Sequence, residues 1–599
     1  MSVQYYVLAT ALTMALVPIA GFAFGLYRTV IRFEIPFLSL CAGTVGGLCG
    51  VVIAIVGWVG GAPYSRAIGL GTVFALLVFA MLVWSRNIAR WVLGSARAGD
   101  ATKVAIYGAG GAGRQLATMF RRANEYKPVL FIDDDLSLKG RMVEDLVVLS
   151  PSDRKLAYRL SVRGVREILL AIPSLRPTRR REILDTLSVL PFRVRTVPRL
   201  TELIEGHEDS LGDLRDISID DLLGRDPVSP LPSLLEKCVK DKVVLVTGGG
   251  GSIGSELCRQ TIALQPLHLI VLEHSEFALY QVEQELRTAV LRLNAGTRTR
   301  LDFVLGSVTD AAKIAELLRE FHIETVYHAA AYKHVPIVEN NPQQGLRNNV
   351  LGTWYVARAA ARARVKHFIL ISSDKAVRPT NVMGATKRMA ELVIQSLADA
   401  HPGTVFSMVR FGNVLGSSGS VVPLFRHQIE RGGPITLTHS DVTRYFMTVE
   451  EAVQLVIQAG AMASGGEVFV LDMGQPVRIM DLAVKMIHLS GRSLRDGANP
   501  QGDIAVEVVG LRPGEKLYEE LLIGGEVTGT AHPRIWQVRE ERVDSSSFEA
   551  ALRRLEDEIR SKPRDLDVQE VLTKWVTGYT GKGAVASAAP GEGPRSTLH

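Results

Sequence analysis

Cysteine is scarce in this chain: four in 599 residues, with no Cys-x-x-Cys pair among them. That excludes a disulfide framework, gives no structural zinc motif and makes a reducing compartment the simpler setting, so no metal is expected. A concentrated basic run is also missing. The net charge of +6 is dispersed along the sequence, so there is no arm for nucleic acid and none is expected as a partner. Charge of either sign is nearly absent from three segments near the start, Val7 to Leu26, Ile35 to Val59 and Ala67 to Trp84. Each is about as long as the roughly 20 residues a bilayer-spanning helix needs. A signal peptide would account for the first alone and would need a charged start, and three consecutive segments of this kind do not read as helices of a soluble core.

Arginines flank these segments unevenly. Arg28 and Arg32 follow the first, Arg66 precedes the third, and Arg86, Arg90 and Arg97 follow it. The excess after spans one and three places those ends in the cytoplasm and the N-terminus outside. The expectation is therefore a multi-pass protein of the cell (inner or plasma) membrane. Its partner there is the lipid bilayer, and everything beyond the spans is cytoplasmic.

Two glycine loops follow. The first is Gly108-Ala109-Gly110-Gly111-Ala112-Gly113, after the apolar run Lys103–Tyr107, with Asp133 at the end of the next apolar run. A separation of about twenty residues from last glycine to acid fits a Rossmann-like unit. No catalytic constellation follows it before Pro230, so a ligand-free structural or regulatory module is the competing reading. The second loop is Thr247-Gly248-Gly249-Gly250-Gly251-Ser252-Ile253-Gly254, after Val243–Val246. Glycines there allow close backbone approach to a pyrophosphate, and the helix that opens offers it free N–H groups. The next apolar run ends at Glu273. A carboxylate at that position accepts hydrogen bonds from both ribose hydroxyls and repels a 2′-phosphate, which favours NAD over NADP. Further on, Val326-Tyr327-His328 leads into Ala329, Ala330 and Ala331, then Lys333 and His334.

The most informative segment is Phe368-Ile369-Leu370-Ile371 followed by Ser372-Ser373-Asp374-Lys375. An apolar run of this kind makes a buried parallel strand, and ligands bind where such strands end. Pro379 breaks the chain, and a helix begins near Val382, with Met383 and Lys387 on one face. That face resembles the Tyr-x-x-x-Lys of extended short-chain dehydrogenase/reductases with methionine in place of tyrosine. With the Asp-Lys pair upstream, the combination resembles the membrane-bound nucleotide-sugar 4,6-dehydratases of the polysaccharide-biosynthesis group. The likeness covers residues 240 to 540 closely and the remainder more loosely.

This resemblance implies an enzyme, a hydro-lyase using NAD and a UDP-sugar. Its substrate would be a UDP-N-acetylhexosamine such as UDP-N-acetylglucosamine. It implies Lys375 as base at C5 of the sugar, Asp374 as acid at C6, Ser373 as a hydrogen-bonding partner of the substrate and Lys387 as the holder of the nicotinamide ribose. Met383 leaves the acceptor of the C4 hydroxyl proton unnamed. Thr247, Gly248, Gly251, Ser252, Ile253, Gly254, Glu273 and the three alanines would line the cofactor. Lys333, His334, Asn413, Ser420, Arg444, Arg512 and Glu515 would meet the sugar nucleotide, arginine being suited to phosphate by its planar fork.

The expected fold class is α/β: N-terminal transmembrane helices followed by two Rossmann-like, doubly wound parallel-sheet domains. The boundaries read as membrane helices over 1–98, a middle domain over 99–235, the dehydratase domain over 236–540, a helical extension over 541–580 and a disordered tail over 581–599. The family usually has four spans where this chain shows three. A 4-epimerase of the same fold and a non-catalytic nucleotide-binding membrane scaffold are the rival functions, and a homo-oligomer is among the open assemblies.

Overall fold

The computed structural model of the chain describes residues 3–23, 35–95, 101–122, 125–172, 175–197, 214–217, 221–222, 224–225, 228–292, 299–417, 420–522, 526–540, 542–561 and 566–581. The tail expected over 581–599 lies outside these residues from 582 onward. The chain forms two compact units, Met1–Leu149 with Val162–Arg166 and Ser150–Ser161 with Glu167–His599.

The first unit opens with three helices, α1 (Val3–Ala23), α2 (Ile35–Val59) and α3 (Tyr64–Ser95). Two stretches, Leu40–Val59 and Tyr64–Ser85, are long and apolar enough to cross a membrane. The first expected span falls on α1, a helix of 21 residues, of which Ala11–Ala20 is an apolar stretch with described side chains. Small residues line the α2–α3 seam. A Cβ on Gly50 would lie 2.6 Å from the Gly71 carbonyl oxygen, and one on Gly71 would lie 2.5 Å from that of Gly50. Such close backbone approach is how helices pack where lipid replaces water. Large apolar side chains, among them Leu40, Leu76, Met81 and Trp84, point outward.

After the helices, β1 (Thr102–Tyr107) pairs in parallel with β2 (Tyr126–Ile132) across the helix α4 (Gly111–Arg122). β2 pairs in parallel with β4 (Leu146–Leu149), and β3 (Met142–Val143) is antiparallel to β4.

The second unit includes a short ladder of β5 (Glu167–Leu170), β6 (Arg193–Thr196) and β7 (Arg215–Asp216). Its main feature is a nine-stranded sheet. Six parallel strands come first: β8 (Val243–Thr247), β9 (His268–Glu273), β10 (Arg300–Leu305), β11 (Thr325–His328), β12 (His367–Ile371) and β13 (Val405–Arg410). With β14 (Asn413–Val414) and β15 (Phe446–Met447) forming a separate parallel pair, the sheet continues through β16 (Glu467–Leu471), β17 (Glu526–Gly529) and β18 (Ile535–Arg539). The order is β10-β9-β8-β11-β12-β13-β16-β18-β17, with β18 antiparallel to both of its neighbours. β8, β9, β11 and β12 are buried along almost their whole length, because helices cover both faces; this is the doubly wound arrangement expected of continuous apolar runs. The order reverses between β8 and β11, so their C-terminal ends frame the crevice where such sheets take ligands.

The crevice depends on Gly248. It has φ +68°, and a Cβ there would stand 2.7 Å from both the Cα and the N of Ala330. Only glycine lets the loop after β8 lie this close to the loop after β11. Gly248→Ala should therefore destabilise the protein by about 1–3 kcal/mol, measured as a lowered thermal unfolding midpoint in detergent. An unchanged midpoint would contradict this packing.

Candidate functional site

The turn after β12 is placed by local chemistry. β12 ends at Ile371, and Ser373 then caps a single 3-10 turn over Asp374–Ala376, its hydroxyl accepting from the Lys375 N–H. The helix α5 (Val382–Ala400) starts where Asn381 accepts from the Gly384 N–H at 2.8 Å, three residues after Pro379's neighbour Arg378 has turned the chain with φ +40°. Gly384 seats the two against each other, since a Cβ on it would fall 2.2 Å from the Lys375 carbonyl oxygen. Asp374 is fully buried, and Lys375 Nζ lies 3.0 Å from its Oδ1. The same ammonium donates to Asn413 Oδ1 at 3.1 Å and stands 3.9 Å from Glu519 Oε1. Ser373 Oγ donates to Asp374 Oδ1 at 2.8 Å.

Charge in this cluster is strongly perturbed. Burial pulls the Lys375 pKa down, but Asp374 and Glu519 outweigh it and the net direction is up. A lysine that served as a base would need the opposite direction. Burial raises the Glu519 carboxyl, and Asp374 adds to this against the pull of Lys375. Lys333 is lowered by burial and by Lys375, and His334 by burial and by Lys333.

Lys387 donates to the Ile371 carbonyl at 3.0 Å. Burial lowers its pKa to about 8, with Glu391 opposing, so it still carries charge at neutral pH. Met383, one helical turn earlier, is buried in the hydrophobic core and offers no atom that moves a proton.

The cofactor loop also differs in detail from its sequence reading. Thr247 is turned into the core, its hydroxyl bonded to His328 Nδ1 at 2.8 Å. Burial and then Lys387 lower the His328 pKa to about 3, so the ring is neutral. Glu273 caps the glycine loop, accepting from Gly250 N at 3.0 Å, while its other oxygen takes the N–H groups of His274 and Ser275. Gly251, Ser252, Ile253 and Gly254 lead into and open the helix Ser252–Ala263, and Gly254 lies against the Gly248 carbonyl. A glycine loop, a helix start and a strand-end acid thus meet at one place beside Ala329, Ala330 and Ala331, which fits a dinucleotide.

The residues expected to meet the sugar nucleotide are more dispersed in role. Arg444 pairs with Glu515 at 3.2 Å and approaches Glu519 at 3.8 Å. Glu515 also accepts from Thr438 Oγ1 at 3.0 Å and from the Arg512 backbone N–H at 3.2 Å. Asn413 is brought to Lys375, and Ser420 caps the helix Val421–Glu430, its hydroxyl buried without a hydrogen-bond partner. Sequence reasoning missed Glu519 and Tyr445. Glu519 sits in a run of charges that reads as solvated surface, so the only signal was its nearness to Arg512 and Glu515.

Beneath the site lies a buried ionic group. Arg410 and Glu391 are both fully buried and bonded at 2.6 Å; Glu540 accepts from Arg410 at 2.6 Å, and Arg388 reaches both carboxylates. Ser372 Oγ donates to Glu391 at 2.6 Å.

Comparison with known proteins follows this geometry. Residues 244–540 match the family described as "Polysaccharide biosynthesis protein", and residues 23–198 match "CoA-binding domain". The chain is 39% identical over 539 residues to the capsular polysaccharide biosynthesis protein CapD of Staphylococcus aureus, covering 89% of this chain and 87% of that one. It is 43% identical to the probable polysaccharide biosynthesis protein EpsC of Bacillus subtilis over 71% of this chain and 69% of that one. A UDP-glucose 4-epimerase of Rickettsia typhi is 32% identical over 47% of this chain and 78% of its own.

Burial tends to raise the Glu391 pKa, but Arg410 holds it down at about 2, against an ordinary value of 4.5. Its stabilising contribution is therefore complete above about pH 4.5 and is lost as pH falls towards about 2. His328, neutral in the folded state down to about pH 3, adds loss in the same direction below its ordinary value. Glu391→Gln should cost about 3–5 kcal/mol at neutral pH and flatten the acid limb of a thermal-unfolding series, leaving the His328 part. This chain, with its doubly wound sheet and strand-end site, belongs to the polysaccharide biosynthesis protein family.

Proposed function

We propose that this protein catalyses NAD-dependent 4,6-dehydration of a UDP-N-acetylhexosamine, with UDP-N-acetylglucosamine the first substrate to test. The product is a 4-keto-6-deoxy sugar nucleotide for surface polysaccharide or glycoprotein synthesis. The observation that supports this best is the buried Asp374 bonded to Lys375 at 3.0 Å just after β12, ahead of a helix that carries Met383 where the epimerase pattern keeps a tyrosine. An acid and a base stand ready there for a C–H bond and a C–O bond, which epimerisation does not require.

The loop Gly248–Gly254, Glu273, the three alanines and Lys387 would hold NAD, which when bound supplies the reversible hydride exchange of the reaction. Lys375 removes the C5 proton, made acidic by the neighbouring ketone, and Asp374 serves departure of the C6 oxygen. Ser373 holds Asp374 and faces the sugar. Lys333, His334, Asn413, Ser420, Arg444, Arg512 and Glu515 bind the rest of the sugar nucleotide. The apolar helices hold the enzyme in the membrane, with the N-terminus outside and the catalytic region on the cytoplasmic side.

Turnover in heavy water should place solvent deuterium at C5, while the C4 hydrogen is recovered at C6. Lys375→Ala should bind nucleotide and UDP-sugar normally and lose roughly 10²–10⁴-fold in turnover. The likeness to a 4-epimerase makes the label decisive, because an epimerase returns hydrogen to C4 and leaves C5 untouched; that result would reject the dehydratase.

The same reading expects NAD to bind more tightly than NADP, with Glu273→Ala narrowing the difference in a direct binding titration. Equal affinity in the unmodified protein would remove Glu273 from the cofactor site.

A further inference from the structure

Lys375 is a base whose surroundings hold its proton on, and the structure contains a group placed to receive it. Glu519 belongs to a loop bonded closely to the catalytic turn. Thr380 Oγ1 and Asn381 Nδ2 both donate to the Gly514 carbonyl, at 2.8 and 3.0 Å, and Lys516 Nζ donates to the Val377 carbonyl at 2.9 Å. Arg378 and Glu520 add an ion pair at 3.1 Å. These bonds fix the Glu519 side chain, only 5% exposed, with Oε1 3.9 Å from Lys375 Nζ and 3.8 Å from Arg444 Nε.

Its other oxygen, Oε2, is buried without a hydrogen-bond partner, and so is Asp374 Oδ2. A buried lone carboxylate oxygen is costly, and a proton relieves that cost. The charged and titratable groups acting on Glu519 are Lys375, Asp374, Arg444 and Lys516. Lys333 acts on Lys375 from the strand-end loop, and Tyr445 lies within the field of Asp374. Two carboxylates therefore face one ammonium.

We propose that Glu519 is the proton partner of Lys375, taking the ammonium proton so that the neutral amine can remove the C5 hydrogen. The inference rests on the dehydratase reading. Glu519 acts through Lys375 and is a positioning residue in this scheme. The Nζ–H bond breaks and an O–H bond forms on Glu519, which hands the proton on to Asp374. The Lys375 lone pair then takes the C5 hydrogen as a proton. The C5–H electrons form the C5–C6 double bond as the C6–O bond breaks, and the oxygen leaves as water with the proton the carboxylates held. The trio ends with the charge it had at the start.

This exchange gives a signature in the pH profile. A net-neutral Lys375–Glu519 pair shifts its proton internally, so kcat of the unmodified enzyme should be flat across neutral pH. In Glu519→Gln the proton must go to solvent, so kcat should fall about 10²-fold at neutral pH and rise in proportion to hydroxide. Nucleotide binding should be unchanged. Glu519→Asp should restore the flat profile with kcat above that of the Gln variant. A flat Glu519→Gln profile, whatever its kcat, or an Asp variant no better than Gln, would overturn the proposal. If Glu519→Gln fails to fold, the profile of Glu519→Asp decides alone: flat supports the partnership and a hydroxide-dependent rise rejects it. Absence of a 4-keto-6-deoxy product from the unmodified protein would reject the underlying reading, separately from any result at Glu519.

Discussion

The strand-end site is organised around one buried guanidinium. Arg410, at the end of β13, is enclosed completely and is neutralised by Glu391 from the helix behind and by Glu540 just beyond the antiparallel strand β18. A charge in that position is tolerable only with paired, hydrogen-bonded partners, because the desolvation cost of an unpaired ion is several kcal/mol. The pairing therefore locks three elements that are far apart in sequence. Ser372 joins it through Glu391, which fixes the end of β12, and Lys387 sits one turn before Glu391 on the same helix. The position of the Asp374–Ala376 turn follows from that lock.

Above it the site uses backbone closeness to place its reactive groups. Gly384 lets the turn bearing Lys375 rest on the helix start, and Gly412 stands beside Asp374 Oδ2, where a Cβ would lie 3.3 Å away. The result is a small volume holding Asp374, Lys375, Asn413 and Glu519. Lys333 and Arg444 add positive charge beside Lys375. Arg444 is shared between Glu515 and Glu519.

The two glycine loops use the same device. Asp133 accepts from the Ala109 N–H at 2.6 Å as Glu273 accepts from Gly250 at 3.0 Å, and in each loop the last glycine lies against the carbonyl of the first. An acid at a strand end thus tightens its neighbouring loop whether or not catalysis follows. Around the second loop the sheet supplies Asp374, Lys375 and Lys387 from a later strand and helix. In the first unit, Tyr107 donates to Asp134 at 2.9 Å beside the loop, and no comparable acid–base trio accompanies it among the described residues.

Much of this was legible in the chain itself. Apolar runs ending in polar residues mark β8, β9, β11 and β12 and the ends where a ligand binds, because parallel strands buried on both faces leave only their termini for chemistry. The Asp374–Lys375 pair, the capping Asn381 and the methionine at 383 are local features, and local sequence determined them. The apolar segments near the start were legible too, and the helices α1, α2 and α3 form over them. Thr247 and Glu519 were decided only by tertiary structure. The hydroxyl of Thr247 is claimed by His328, a partner 81 residues away, and Glu519 becomes buried because its loop is bonded to Val377, Thr380 and Asn381. Burial and Coulomb contact, not residue type, set the protonation of such groups, and both depend on neighbours that the fold brings together from distant parts of the chain.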